Sequence, residues 1–566
     1  MDIQSLLATA RGDAPADLLL ANARVVNTFT ARIEGANVAI CQGKIAGVGD
    51  YQQGKEIIDL RGKYLIPGLI DGHIHLESSH LSPAEYARAV VPRGVLAIVT
   101  DFHEIANVCG LVGIKYMLKS AQRLPMNIFG MAPSCVPATH LETAGAQLDA
   151  EDLREVRGME NIIGLGEMMN FPGVISGDPE VWAKIELFKG KTIDGHAPGL
   201  SGNSLNAYLT AGIFSDHECT TIEEAREKLS RGMHIMIREG SSERNLDTLL
   251  PLVTDQTFKR CFFVVDDRSC ADLLRDGDID AVVRKAIGRG LDPTRAIQMA
   301  TINTAEYFRL SGLGAVAPGY RANLVVVEDL TNIEANMVFY DGQLVARDGQ
   351  VVTKIPTITD DKITHTVNIK PFSVEALRLP AKGKTAPVIE IVPDQIVTKK
   401  GETEVEVEDG FVQPDIERDL LKLVVVERHK VTGNIGRGLV KGFGLKRGAL
   451  ASSIAHDSHN IVAVGTNDED IFAAIKELER LQGGLAIAAE GQVLGSLALP
   501  IAGLLSAEPL AVVVQKLEEL KSIAAGLGCI PAAPFATLSF LALPVIPELR
   551  LTDLGLVDVI AFKLLE

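Results

Sequence analysis

A repeated alternation of apolar runs and helical segments between residues 66 and 319 most constrains how this chain can fold. The runs VLAIVT, NIFGMA, IIGLGE and CFFVVDD have the length and composition of buried strands. Helical segments such as TIEEAREKLSRG lie between them. Strands and helices that alternate in this way form parallel βαβ units. Because eight such units take about 250 residues, the sequence predicts an α/β fold with a (β/α)8 TIM-like barrel.

Two regions with β character flank the predicted barrel. Residues 1–65 contain the segments DLLLANARVVN, GANVAICQG and KIAGVGD, and the same glycine-punctuated pattern returns in residues 320–370. We expect these two regions to form one small composite β domain, with the barrel of residues 66–319 inserted into it. A polar stretch, RLPAKGKTAPVIE, leads into residues 371–566, where we expect a C-terminal α+β domain.

Composition excludes several classes of partner. The net charge of −18 argues against a surface that neutralises phosphates, so no nucleic-acid partner is expected. The most apolar stretch, LALPIAGLLSAEPLAVVV, is broken by two prolines and Glu508, which predicts core strand and helix and no membrane partner. The seven cysteines form no CxxC pair, and this predicts reduced thiols in a cytoplasmic protein.

Polar side chains recur just after the predicted strands. His73 and His75 are two residues apart at the end of an apolar run, and that spacing puts both imidazoles on the same side of a strand, where they can bind one ion. Further side chains with the same placement are His103, Glu167, His196, His217 and Asp266. A (β/α)8 barrel assembles its active site from the carboxyl ends of its strands, so we expect these side chains to meet.

The predicted barrel contains the motifs PGLIDGHIHLESSH, DFHEIANVCG, GLGEMMNFPGV, DGHAPGLSG, DHECT, REGSSERNL and VVDDRS. In these motifs the sequence resembles the bacterial adenine deaminase family of the amidohydrolase superfamily. The resemblance continues in HDSHNI and LALPIAGLLS of the C-terminal region, and so covers nearly the whole chain. It implies hydrolytic deamination of adenine to hypoxanthine and ammonia, in purine salvage.

The resemblance also implies a site with two divalent metal ions. The implied ligands are His73, His75, Glu167, His196, His217 and Asp266. Glu167 stands where many members of the superfamily carry a carboxylated lysine, and a carboxylate can bridge two cations. Imidazole and carboxylate ligands suit Mn²⁺, Fe²⁺ or Zn²⁺, and the family points to Mn²⁺ or Fe²⁺. Asp267 is the alternative to Asp266, which we prefer because it directly ends the apolar run.

The expected chemistry assigns proton transfers to two acids. Asp266 would take a proton from the attacking water and pass it towards the leaving amine. We assign Glu239 to the proton at ring atom N1, with Glu218, Glu104 and His103 as alternatives near strand ends. Arg238 either contacts the substrate or forms a structural ion pair.

Two further groups have open roles. His103 and Glu104 either line the substrate pocket or hydrogen-bond the first-strand histidines. His456 and His459, in AHDSHNI, belong to a loop over the barrel mouth or to a separate metal site, and we prefer the loop. Glu77 is expected to cap the helix that starts near SPAEYARAV.

Two rival functions remain at this point. Cyclic amide hydrolysis of the dihydroorotase or hydantoinase type usually needs a lysine on the fourth strand, and GLGEMMN has none. A metal-free scaffold on the same fold predicts lost ligands, although all six positions are filled. We expect a small-molecule substrate, adenine, and a homodimer.

Overall fold

The computed structural model describes residues 2–393 and 395–565. Eight parallel strands, followed by helices, form a barrel as predicted. In chain order they are Leu69–Ile74, Val95–Asp101, Asn127–Ala132, Ile162–Met168, Thr192–Gly195, Ser215–Asp216, His234–Arg238 and Cys261–Val264. Strands one to five form one sheet and strands six to eight a second. A parallel bridge between Ile74 and Asp266 joins the first strand to the segment after the eighth.

Helices cover the outside of the barrel. Several of them begin where a side chain accepts from a free backbone N–H, as Thr221 does from Glu224 N at 3.3 Å. Their bounds are Pro83–Val90, His103–Ala121, Ala150–Arg157, Phe171–Ser176, Pro179–Leu187, Gly202–Thr210, Ile222–Ser230, Leu246–Leu249, Cys270–Arg275, Ile279–Gly288, Pro293–Met299 and Ile302–Tyr307. Because the strands are parallel, their carboxyl ends meet at one mouth of the barrel.

Both flanks of the barrel contribute to a single nine-stranded sheet, which is packed beside the N-terminal helix Ile3–Arg11. Strand Leu324–Val327, which follows the barrel, pairs antiparallel with Tyr64–Pro67, which precedes it. The remaining strands are Ala16–Asn27, Arg32–Cys41, Lys44–Gly49, Gly54–Asp59, Ala335–Tyr340, Gln343–Arg347 and Gln350–Val351. This pairing confirms the predicted architecture, a barrel inserted into a small β domain.

The C-terminal region is α+β, as predicted, and is built on an eight-stranded sheet. Its strands are Thr385–Ile391, Thr398–Glu404, Leu421–Val426, Ile435–Lys441, Ala449–Ser452, Ile461–Gly465, Gly484–Ala489 and Gln492–Ala498. Two small three-stranded sheets are formed by Leu379–Pro380, Glu406–Glu408 and Phe411–Gln413, and by Leu549–Thr552, Gly555–Asp558 and Lys563–Leu564. The helices are Asp468–Leu481, Leu510–Gly526 and Pro534–Phe540. Among the described residues, none of the helices combines the length and apolarity needed to cross a membrane.

The C-terminal region is docked on the mouth of the barrel. Ser506 makes a parallel bridge with Leu81, which lies just after the first barrel strand. Asp553 accepts a hydrogen bond from the backbone N–H of Thr143, in the loop after the third strand, at 2.9 Å. The loop of residues 453–460, between two strands of the C-terminal sheet, therefore lies close to the ends of the barrel strands.

Candidate metal centre

The first strand presents two imidazoles to one carboxylate oxygen. The side chains of His73 and His75 lie on the same side of the strand, as alternation along a strand requires. Their Nε2 atoms are 3.2 Å and 2.7 Å from Oε1 of Glu167. All three side chains are buried.

A second pair of imidazoles faces the other oxygen of the same carboxylate. His196 Nδ1 is 2.8 Å and His217 Nε2 is 3.6 Å from Oε2 of Glu167. The rings of His73 and His217 stack with centroids 4.3 Å apart, so the two pairs are in contact. Glu167 thus lies between two pairs of nitrogen donors, with one oxygen for each.

Asp266 completes the cluster from the segment after the eighth strand, which pairs with the end of the first strand. Its Oδ1 is 3.5 Å and 3.2 Å from Nε2 of His73 and His75. The eighth strand ends at Val264 and Asp266 has a φ of +61°, so Asp266 and Asp267 lie beyond the regular strand, where side chains need not alternate between two faces. Asp267 instead accepts a hydrogen bond from the Ser78 hydroxyl at the barrel mouth.

The cluster fits metal binding. Ligand atoms of His73, Glu167, His217 and Asp266 all lie within 4.8 Å of one another. Several buried polar atoms have no hydrogen-bond partner among the described residues, namely His73 Nδ1 and Nε2, His75 Nδ1, Glu167 Oε1 and His217 Nδ1. Buried polar atoms without partners are costly unless a ligand or ion satisfies them. The donor set therefore fits a binuclear centre of imidazole and carboxylate ligands.

The local charges keep the carboxylates ionised. Burial acts to raise the pKa of Glu167, but the charges of His75 and His217 hold it well below its usual range. Burial opposes ionisation of Asp266 too, and hydrogen bonds with His73 and His75 hold its pKa well below its usual range. Both groups are thus available as anionic ligands near neutral pH.

Asp101 holds Glu167 in place, and sequence reasoning missed it. Its Oδ2 accepts from the backbone N–H of Glu167 at 2.8 Å, and its Oδ1 accepts from that of His103 at 3.0 Å. Asp101 ends the second barrel strand and is buried. Its position in TDFHE, at a strand end like the predicted ligands, was the signal that could have identified it.

The structure does not bring Glu239 to the cluster, which corrects our assignment of this residue. Its Oε1 pairs with Lys285 Nζ at 2.6 Å, and its Oε2 accepts from Leu246 N at 3.1 Å. Glu239 follows the seventh strand and forms a backbone bridge with Arg244, so it lies beyond the regular strand, and both of its carboxylate oxygens are used by Lys285 and Leu246.

Arg238 forms ion pairs with two acids of the site. Its Nη1 lies 2.7 Å from Asp266 Oδ2 and 2.5 Å from Glu218 Oε1. The structure therefore supports the ion-pair alternative over substrate binding. Glu218, which we held as an alternative to Glu239, does reach the cluster, since its Oε1 is 3.3 Å from His217 Nε2 and 3.7 Å from His196 Nδ1.

His103 and Glu104 begin the helix after the second strand. The His103 ring packs 4.6 Å from that of His75, so His103 borders the cluster. Glu104 turns towards the C-terminal domain, where its Oε1 is 2.9 Å from His456 Nδ1 and its Oε2 pairs with His459 Nε2. The HDSHNI loop therefore reaches over the barrel mouth, as we preferred.

Glu77 does not cap a helix. Ser82 is the N-cap residue, with its hydroxyl accepting from Glu85 N at 3.4 Å. Glu77 is buried and its Oε1 accepts from Ile105 N at 3.2 Å. Burial, together with the charge of Glu104, raises the pKa of Glu77 to about 7.

Known protein families match the chain in two parts, the barrel with its flanking strands and the C-terminal region. The pattern of the amidohydrolase family matches residues 64–352, and that of the adenine deaminase C-terminal domain matches residues 395–563. Adenine deaminase of Dehalococcoides mccartyi is 62% identical over 564 residues, which are 100% of this chain and 99% of that protein. This chain belongs to the adenine deaminase family of amidohydrolases.

More distant members of the adenine deaminase family match over the same length. Adenine deaminase 2 of Carboxydothermus hydrogenoformans is 53% identical, and adenine deaminase of Desulfatibacillum aliphaticivorans is 50% identical. Each alignment covers 99% of this chain and 98% of the relative. The family resemblance inferred from the motifs is confirmed.

Proposed function

We propose that this protein hydrolyses adenine to hypoxanthine and ammonia at a two-metal centre. The observation that carries the proposal is Glu167, whose two carboxylate oxygens each face a separate pair of histidines. Hydrolytic deamination needs an activated water as the nucleophile. Two cations held by this arrangement would provide that activation. Adenine as the substrate is supported by the relatives, which are adenine deaminases 62% and 53% identical to this chain.

Six side chains would hold the two cations. Around the first cation we place His73, His75 and Asp266, around the second His196 and His217, and Glu167 between them. Two bound divalent cations would lower the pKa of water enough for it to attack C6 of adenine near neutral pH. This donor set suits Mn²⁺, Fe²⁺ and Zn²⁺. We propose Mn²⁺ or Fe²⁺, to which the family resemblance points, and keep Zn²⁺ as the alternative.

The acids around the cluster move the protons. Asp266 turns Oδ2 to Arg238 and Oδ1 to the histidines, so Oδ1 is placed to take the proton of the attacking water and pass it to the leaving amine. For the proton at N1 we now propose Glu218 in place of Glu239. The Glu218 carboxylate contacts both His196 and His217, and its side chain is 15% exposed. Burial acts to raise the pKa of Glu218, but the charges of His196 and Arg238 hold it below its usual range, so it is ionised. Glu218 would therefore take one proton of the water and pass it to N1, while Asp266 takes the other.

The test is turnover of a panel of compounds by the metal-loaded enzyme. It is followed as ammonia release for the bases and the nucleoside, and as ring opening for the two cyclic amides, because their hydrolysis releases no ammonia. The panel contains adenine, adenosine, cytosine, guanine, dihydroorotate and hydantoin. We expect activity on adenine, with hypoxanthine as the product, and poor activity on adenosine. Preference for adenosine, or for either cyclic amide, would overturn the substrate assignment, and purification without metal would favour the scaffold alternative.

Location and assembly are part of the same proposal. All seven cysteines are free thiols, which supports a reducing compartment such as the cytoplasm. The homodimer stays a prediction, and light scattering coupled to size-exclusion chromatography tests it.

A further inference from the structure

The HDSHNI loop of the C-terminal domain is held rigidly over the barrel mouth. His456 pairs with Glu104 and stacks on Phe540, with ring centroids 4.8 Å apart. Asn460 donates to the backbone oxygen of Thr143 at 2.8 Å, and the Ser458 carbonyl lies 2.7 Å from His429 Nε2. The loop is thus fixed to the barrel by residues on both sides of Asp457.

The anchor is a hydrogen-bond network rather than a third metal site. Ligand atoms of Glu104, His456 and His459 lie close enough to hold an ion. However, His459 Nδ1 accepts from the backbone N–H of Ala455 at 3.3 Å, so Nε2 carries the proton and donates it to Glu104. A metal-bound histidine normally donates from its other ring nitrogen, and His459 cannot do so here.

Asp457 is the only acid in residues 453–460, and its side chain takes no part in the contacts that fix the loop. It is 5% exposed, and its Oδ2 is buried without a hydrogen-bond partner among residues 2–393 and 395–565. Ligand atoms of His103, Glu104 and Asp457 lie within 4.8 Å of one another, and the His103 ring packs against His75. The free carboxyl therefore lies next to the side chains that border the metal centre.

A buried carboxylate without a partner requires a donor, and the free base adenine offers one. The imidazole ring of the base carries an N–H, which is replaced by a bond to carbon in adenosine or 9-methyladenine. We propose that Asp457 is a substrate-binding residue that accepts this N–H, so that the C-terminal domain selects the free base over its 9-substituted derivatives. The assignment rests on the proposed function.

The experiment compares adenine with 9-methyladenine, as substrates or as inhibitors, in the metal-loaded enzyme. In Asp457→Ala we expect kcat/KM for adenine to fall by about 10-fold to 100-fold, mainly through KM, because one hydrogen bond to a charged group is lost. The kcat/KM or inhibition constant for 9-methyladenine should change by less than about 3-fold, since 9-methyladenine has no imidazole N–H to donate to Asp457. The preference for adenine therefore shrinks.

Asp457→Asn guards against a folding defect, because it keeps the size and one neutral acceptor. We expect its kcat/KM for adenine to lie between those of the wild type and Asp457→Ala, since charged hydrogen bonds are about twice as strong as neutral ones. Glu142→Gln is the matched control. Glu142 is a buried acid beside the same loop, where burial and the charge of Asp457 hold its pKa well above its usual range, so glutamine resembles its neutral form. It should keep the wild-type preference.

Three results would overturn the inference. They are an unchanged preference in both Asp457 variants, the same loss of preference in Glu142→Gln, and a third equivalent of metal that His459→Ala removes. If the wild type fails to deaminate adenine, the proposed function itself is wrong. If the wild type is active and the preference does not respond, only the role of Asp457 is wrong.

Discussion

Replacing Glu104 by glutamine should loosen the C-terminal domain from the barrel in a pH-dependent way. Burial lowers the pKa of His456, but Glu104 outweighs it and raises that pKa from 6.5 to about 9. The side chain of His456 is 15% exposed and that of Glu104 is 4% exposed, so solvent screens the pair only weakly. Each tenfold change in proton affinity is worth about 1.4 kcal/mol, so the rise corresponds to about 3 kcal/mol.

The sign of the pH dependence follows from the raised pKa. Folding favours the protonated His456, so this contribution is complete below about pH 6.5 and is lost as the pH rises through about 9. Asp267 and Asp457 also raise the pKa of His456, so the glutamine variant removes the largest favourable part but not all of it. We expect Glu104→Gln to be less stable by about 3 kcal/mol at pH 6.5, and by no more than about half of that at pH 10.

Urea unfolding of wild type and Glu104→Gln at pH 6.5, 8 and 10, each metal-loaded, measures this difference. Glu518→Gln is the control: Glu518 is exposed and lies 4.0 Å from Lys521, so its loss should cost less than about 0.5 kcal/mol at every pH. A Glu104→Gln deficit that is the same at pH 6.5 and pH 10 would refute the ion pair. A deficit that grows with pH would mean that folding favours the neutral form of His456, opposite to what we infer.

Four further substitutions test the metal centre and the acids near it. Glu167→Gln keeps the size of the side chain but removes the charge between the two histidine pairs, so it should lose metal by elemental analysis together with activity; full turnover with both metals retained would place the bridge elsewhere. Asp266→Asn, loaded with excess Mn²⁺ or Fe²⁺, should keep substantial metal yet lose at least about 100-fold in turnover, because an amide cannot take the proton. Asp267→Asn should be milder, and Glu239→Gln, which alters the contacts with Lys285 and Leu246 outside the cluster, should stay within about a few fold of wild type. A dead, fully metallated Asp267→Asn beside an active Asp266→Asn would transfer the proton step to Asp267.

Local sequence was sufficient for the parts of the site that lie on regular strands. His73 and His75 face one space because a strand alternates its side chains, and Glu167 lies at the end of a strand that periodicity identified. Local sequence was insufficient where the chain leaves the strand. Glu239 follows its strand in the same way, but a bridge to Arg244 and the pair with Lys285 take its carboxylate out of the site.

The sequence by itself determined the barrel, its insertion into a β domain and the set of polar residues at strand ends, because these follow from hydrophobic periodicity and from the parallel order of βαβ units. Only the tertiary structure decided which acids face the histidines and which residues join the domains. Glu104 and His459 are separated by 355 positions in the chain, yet their side chains are in contact. No periodicity encodes such a pairing, because it depends on how one folded domain packs against another.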